Sequence, residues 1–385
     1  MKIIFSLSII VFMSFSCQKI QRIEKIENLT ILHLTGSPYE RGLAHGQLLN
    51  QEISDIIIRW KKEVELNFNE DFDEVIDHFF TNTTYIDVIK NYCPDLLEEV
   101  YGISKGCGIN YETILAFQLS EEIDWFSNEM KRKNCTSVIV NRKKDKPTIL
   151  AQNMDPPSFL HGHPTLLHII DEQNKQESYV YTFPGFIGLN GLNSNGVAIT
   201  CNSISMLNYS KYGLPVSFIV RSILKLSHEQ LAFDFLHEVP IGIPQCFTVG
   251  GVSKAICFEC SKNSIREFYP FEDKSITLHT NFAAANRDFN QEFIQLLSEY
   301  GKTVDDPYYC PRYFLAFDKI KEVNYNINYL NIKAILSLTE PKIQPISNEE
   351  TYGCLIMELT ENPILHIAPG KPDITDFITL RFNQQ

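Results

Sequence analysis

Apolar positions recur near helical spacing through the first third of the chain and give way to β-branched, alternating runs after residue 134. Over 37–64, Leu43, Leu48, Ile53, Ile57, Trp60 and Val64 fall near one helical face, and Pro38 sits where a first turn tolerates it. The stretches 71–80 and 85–103 repeat the pattern. A fourth helix is predicted over 111–123, with Gly106 and Gly108 marking the turn before it. Lys131-Arg132-Lys133 reads as an exposed basic linker. Strands are predicted over 136–140, 148–152, 166–171, 178–183 and 197–202, with Asn195-Gly196 as a hairpin signal. Helix returns over 215–239 in two pieces, then strand-like runs over 246–269 and 276–281. Helices at 289–300, 312–323 and 332–338 precede closing strands within 353–366 and 374–382. Blocks rather than strict alternation predict an α+β fold of antiparallel sheets with helical layers outside.

Composition narrows the picture. The 385 residues are 44% hydrophobic and 12% aromatic, enough for a large core. A net charge of -13 is a poor match to phosphate backbones and sets nucleic acid aside as a partner. Lys2 followed by the apolar run 3–15 has signal-peptide form, shorter than the ~20 residues that span a bilayer. Ser14-Phe15-Ser16-Cys17 resembles a bacterial lipobox, with Ser14 where an aliphatic residue is usual. The expectation is export, with lipidation at Cys17 as a cell-envelope lipoprotein of the periplasm or outer membrane, or else plain secretion. That anchor would be the only membrane contact. Ten cysteines are too few for a disulfide scaffold, so the question becomes which of them do chemistry.

Cys135 opens the run Cys135-Thr136-Ser137-Val138-Ile139-Val140, and Gln152-Asn153-Met154-Asp155 ends the next strand. Two adjacent antiparallel strands would return Asp155 to the neighbourhood of Cys135. No histidine stands in an obvious pairing position, so a base other than a side chain is needed. Cleavage between Asn134 and Cys135 would give Cys135 a free α-amine, titrating near pH 8, able to accept the thiol proton. Asp155 could then orient that ammonium.

These residues resemble the acyl-coenzyme A:isopenicillin N acyltransferase-like group of N-terminal-nucleophile hydrolases, related to choloylglycine hydrolases and acid ceramidase. Tyr39-Glu40-Arg41-Gly42-Leu43-Ala44-His45-Gly46 is similar to the group's Arg-Gly…His-Gly opening. The Gly/Asn-rich 188–198, the 214–224 segment with Arg221, His279-Thr280-Asn281 and Gly370-Lys371-Pro372 follow in the group's order. The resemblance implies a four-layer αββα sandwich behind an N-terminal helical pro-segment. It implies three stretches: a leader over 1–17, a pro-segment over 18–134 and a catalytic chain over 135–385, the last two forming one folded unit. It places the nucleophile at Cys135, the orienting carboxylate at Asp155, and oxyanion donors at Asn281 and Asn202. Gln152, where bile salt hydrolases carry Arg, favours the acyltransferase branch. The group's late Arg, expected near 341–344, has no counterpart there, Lys342 being the only cation. His45, Gln152, Asn153 and Lys342 stand as substrate-binding or structural residues.

The expected function is an exported, self-cleaving Cys-nucleophile amidohydrolase that opens linear amide bonds of small N-acyl compounds through a thioester, with acyl transfer as a related activity and no cofactor. The competing readings are a ligand-binding lipoprotein on an inactive scaffold, motivated by the absent late Arg, and a conventional Cys/His protease using His279 or His163. His161-Gly162-His163 lacks further ligands nearby, and Cys257-Phe258-Glu259-Cys260 lacks a second pair, so no metal is expected. The other cysteines read as core thiols.

Overall fold

A computed structural model of the chain describes residues 21–127, 135–143, 146–272, 274–306 and 310–382. Cys17, the basic run 131–133 and Asn134 lie outside them. Two strands, β1 (Arg22–Ile26) and β2 (Leu29–Thr35), come first. Helices α1 (Pro38–Leu48), α2 (Asn50–Phe68), α3 (Phe72–Thr81), α4 (Tyr85–Tyr92), α5 (Pro94–Cys107), α6 (Tyr111–Gln118) and α7 (Ser120–Phe126) follow. Next are β3 (Thr136–Val140), β4 (Thr148–Met154), β5 (Thr165–Asp171), β6 (Gln176–Thr182), β7 (Asn190–Asn193) and β8 (Ala198–Ser203). Helices α8 (Val216–Ile223) and α9 (Glu229–Glu238) lead to β9 (Gln245–Gly250), β10 (Ala255–Cys260), β11 (Ile265–Phe268) and β12 (Ile276–His279). Helices α10 (Gln291–Glu299), α11 (Pro311–Glu322) and α12 (Tyr329–Leu336) precede β13 (Gly353–Leu359), β14 (Ile364–Ala368) and β15 (Ile378–Arg381).

The strands form two sheets. One has nine strands in the order β1-β2-β5-β6-β7-β8-β9-β10-β11, and the other six, β12-β3-β4-β13-β14-β15. All pairings are antiparallel except β2 with β5. Strands β3 and β4 of the smaller sheet pack on β8 of the larger, and β10 packs on β3, β4 and β12. Helices α1, α8 and α9 cover the outer face of the nine-stranded sheet, and α11 and α12 cover the other. The result is the expected α+β sandwich of four layers, helix–sheet–sheet–helix. Strand β3 is buried along its whole length, as a central strand of an inner layer must be.

The stretch before Cys135 departs from the helical expectation in two respects. Its first described residues are strands: Leu29-Thr30-Ile31-Leu32-His33-Leu34-Thr35 carries a branched, strand-forming pattern and pairs in parallel with β5. The predicted helix 85–103 is likewise two helices, because Pro94 cannot continue α4 and instead starts α5.

Candidate active site

Cys135 immediately precedes β3, whose neighbours are β4 and β12. On one side Thr136 pairs with Asn153 and Ser137 with Gln152, so the register carries Cys135 to Met154, one residue from Asp155. On the other side Ser137 pairs with His279, and the same count carries Cys135 to Asn281. Local pairing alone therefore brings three residues that are far apart in sequence to one end of the sheet.

Cys135 and Asp155 both line a cavity of about 90 Å³ that opens to solvent. Asp155 is buried, and its Oδ2 accepts from Asn348 Nδ2 at 2.7 Å, while Oδ1 has no hydrogen-bond partner among the described residues. Desolvation dominates its titration and outweighs the hydrogen bonds from Asn348 and Thr351 and the charge of Arg312, so its pKa is pushed up to about 7. Asn281 Nδ2 donates to the Ser203 carbonyl at 3.0 Å, which fixes the amide; Asn281 itself is not among the residues lining the cavity.

A cation that the sequence reading did not single out completes this corner. Arg312, at the start of α11, is buried; its Nη1 donates to the Cys135 carbonyl at 2.7 Å and to Thr136 Oγ1 at 2.9 Å, and its Nη2 donates to Asn281 Oδ1 at 3.2 Å. One planar guanidinium thus ties the backbone of Cys135 to the side chain of Asn281. Lys342 is exposed and is not among the residues lining the cavity. The only sequence signal for Arg312 was an arginine at the start of a predicted helix.

The remaining candidates take supporting positions. Asn202 lies between the sheets, where its Oδ1 accepts from Ser137 Oγ at 2.5 Å and from Gln152 Nε2 at 3.1 Å, and it is not among the cavity-lining residues. Gln152 also donates to the Cys201 carbonyl at 2.6 Å and accepts from Asn190 Nδ2 at 2.7 Å. Asn153 points the other way and donates to the carbonyls of Leu336 and Ile346. His45 is buried and accepts from the Gly185 N–H at 2.9 Å; desolvation lowers its pKa to about 4, so it is neutral near pH 7. Its neighbour Arg41 and Arg221 meet on Glu99, whose carboxylate is raised by desolvation but brought down to about 2 by those two charges.

His279 is held by Glu259 at 3.1 Å inside the core, and His163 pairs with Asp55 at 3.1 Å; neither lines the cavity with Cys135. His161 Nε2 instead meets the Pro156 carbonyl, so the His-Gly-His run splits between separate partners. Among the described residues one group has metal-ligand spacing, Cys246, Cys257 and His279, all buried between the sheets and away from the cavity lining. The Cys257/Cys260 spacing noted in the sequence is not the pair that converges. No disulfide joins any of the nine described cysteines.

The family model for acyl-coenzyme A:6-aminopenicillanic acid acyl-transferase matches residues 140–300. That span begins after Cys135 and contains Asp155, Asn202 and Asn281. The acyl-coenzyme A:6-aminopenicillanic-acid-acyltransferase 40 kDa form of Emericella nidulans is 25% identical over 270 residues, 66% of this chain and 70% of its own. Over residues 140–300 the chain is similar to this acyltransferase family. Protein dcd1A of Dictyostelium discoideum is 29% identical over 233 residues, 54% of this chain. The chain spans about half, 52%, of the length of that relative and of protein dcd1B from the same organism. Among solved structures, a conjugated bile acid hydrolase mutant from Clostridium perfringens superposes with TM-score 0.38 at 13% identity, over 65% of this chain and 97% of its own. Penicillin V acylase from Agrobacterium tumefaciens gives 0.41 at 12% identity, over 64% and 86%. The matched span starts five residues after Cys135 and so does not reach it.

Proposed function

We propose that this protein is a self-cleaving, Cys-nucleophile enzyme that opens linear amide bonds of small N-acyl compounds, with transfer of the same acyl group to another amine as its alternative outcome. The observation that supports this most is the junction at Cys135: a cavity-lining thiol beside a buried carboxylate, with its carbonyl and the Asn281 amide held by one guanidinium.

In the maturation step Cys135 Sγ attacks the carbonyl carbon of Asn134. The bond from that carbon to the Cys135 nitrogen breaks, and water hydrolyses the resulting thioester to leave a free α-amine on Cys135. In turnover that amine takes the thiol proton as sulfur adds to the substrate carbonyl. The oxyanion is held by the Asn281 amide and a backbone N–H, each donor of this kind being worth ~10²–10³ in rate. The carbon–nitrogen bond then breaks, and the leaving amine takes the proton back from the ammonium. Water, or a second amine, resolves the thioester. Ionised Asp155 orients the amine and stabilises the ammonium it becomes while it holds the proton.

Arg312 removes the motive for an inactive scaffold, because a cation does reach the nucleophile's strand. The positions of His279 and His163 away from the cavity disfavour a Cys/His protease. Export with an anchor at Cys17 is part of the same proposal and is supported by the leader-like run ahead of it. The test is a panel of N-acyl amides with apolar acyl groups. Wild type should release amine and Cys135→Ala should not; equal turnover by both would overturn the reading.

A further inference from the structure

The segment between β6 and β7 forms part of the cavity beside Cys135. Phe183, Phe186 and Leu189 line it, together with apolar side chains such as Met154, Phe159 and Leu160. A connecting segment ordinarily turns its backbone polar groups to water. Here side chains hold them. The Gly185 N–H donates to His45 Nε2 at 2.9 Å, and the Gly185 carbonyl accepts from Gln118 Nε2 at 2.8 Å. The Ile187 N–H donates to Gln118 Oε1 at 2.8 Å, and the Ile187 carbonyl accepts from Arg221 Nη1 at 3.0 Å. The Gln118 amide therefore both donates to and accepts from the segment, as a neighbouring strand would. His45, Gln118 and Arg221 are buried, and Glu99 fixes Arg221 through both Nη atoms, at 2.6 and 2.9 Å. Phe117, next to Gln118 on α6, meets the Phe186 ring edge-on at 5.5 Å. His45 and Gln118 lie ahead of Cys135, so the part of the chain that self-cleavage would separate helps to shape the cavity.

We infer that Gln118, with His45 and Arg221, sets the size of acyl group the enzyme accepts, by fixing the 183–189 wall so that only small apolar acyl groups fit beside Cys135. This rests on the amidohydrolase reading above. The cavity of about 90 Å³ is smaller than the roughly 150 Å³ that takes up a benzene ring. A four-carbon acyl chain suits it, and an aromatic acyl group enters only if the wall gives way. The wall resists, because moving it would leave buried N–H and carbonyl groups without partners. The three side chains act through the segment they hold, so they are positioning residues.

The test measures kcat/KM on the butanoyl and phenylacetyl amides of one amine, butylamine. Wild type should favour the butanoyl amide about tenfold or more. Gln118→Met keeps the side-chain length and removes both hydrogen bonds. It should narrow the ratio to within about threefold, chiefly by lowering KM for the phenylacetyl amide. His45→Leu removes one tether and should narrow the ratio by less; it decides the matter if Gln118→Met does not fold. Phe186→Ala opens the wall directly, and Gln118→Met added to it should bring little further gain. A merely destabilised chain would not gain phenylacetyl turnover. A wild-type preference for the phenylacetyl amide, a ratio unchanged in both variants, or an equal loss on both substrates would overturn the inference and leave the amidohydrolase reading intact. No Cys135-dependent turnover of either amide would instead count against that reading.

Discussion

Asp155 carries a buried carboxyl whose proton is held more tightly in the folded chain than in an unfolded one, about 7 against 3.8. Between those values the folded state keeps a proton that the unfolded state releases, so stability falls as pH rises through about 4 to 7. In uncleaved Cys135→Ala protein, urea unfolding should show this fall, and adding Asp155→Asn should flatten it and raise stability at pH 8. The same Asp155→Asn change in wild type should abolish turnover, because only the ionised carboxylate holds an ammonium. Arg312 makes a second test at this scale. Arg312→Lys keeps the charge but loses the fork that joins the Cys135 carbonyl to Asn281. A misplacement of that order should lower kcat on the order of 10²-fold with a much smaller change in KM. Loss of KM alone would argue that Arg312 binds substrate instead.

At the scale of elements, helices α1 and α5 approach until their backbones touch. A Cβ at Gly42 would stand 1.9 Å from the Glu99 carbonyl, and one at Gly46 2.3 Å from that of Ile103. The Arg-Gly…His-Gly opening is therefore a packing motif as much as a chemical one. Gly42→Ala should cost about 1–3 kcal/mol and lower Tm by several degrees, with activity per folded molecule retained. A neutral effect on Tm would mean that the helices can part freely. The patterns that repeat locally were readable: the helical face over 37–64, the Asn195-Gly196 hairpin, the strand opened by Cys135. The register of β3 with β4 could be guessed from their separation, and with it the approach of Asp155 to Cys135. Arg312 could not. It lies 177 residues from the atom it holds, and only the packing of α11 on β12 brings it there. Strand β2 was not expected because its hairpin with β1 turns at Glu27-Asn28, without the glycine of the usual two-residue signal, and its other partner, β5, is parallel and distant.

For the whole molecule, self-cleavage at Cys135 would not divide two domains. Strands β1 and β2 lie ahead of that point and belong to the nine-stranded sheet whose other strands lie after it. The two products should therefore co-elute under native conditions and separate only in denaturant; ready separation in buffer would contradict the shared sheet. Of the cysteines, Cys135 alone is asked to be both nucleophile and, once cleaved, base. The most direct measurement of that claim is intact-mass analysis under denaturing conditions of wild type and Cys135→Ala. The account predicts that wild type gives two fragments, the larger beginning at Cys135, and that the variant gives one continuous chain. A wild-type chain that is uncut at Asn134–Cys135 and fully active would contradict it.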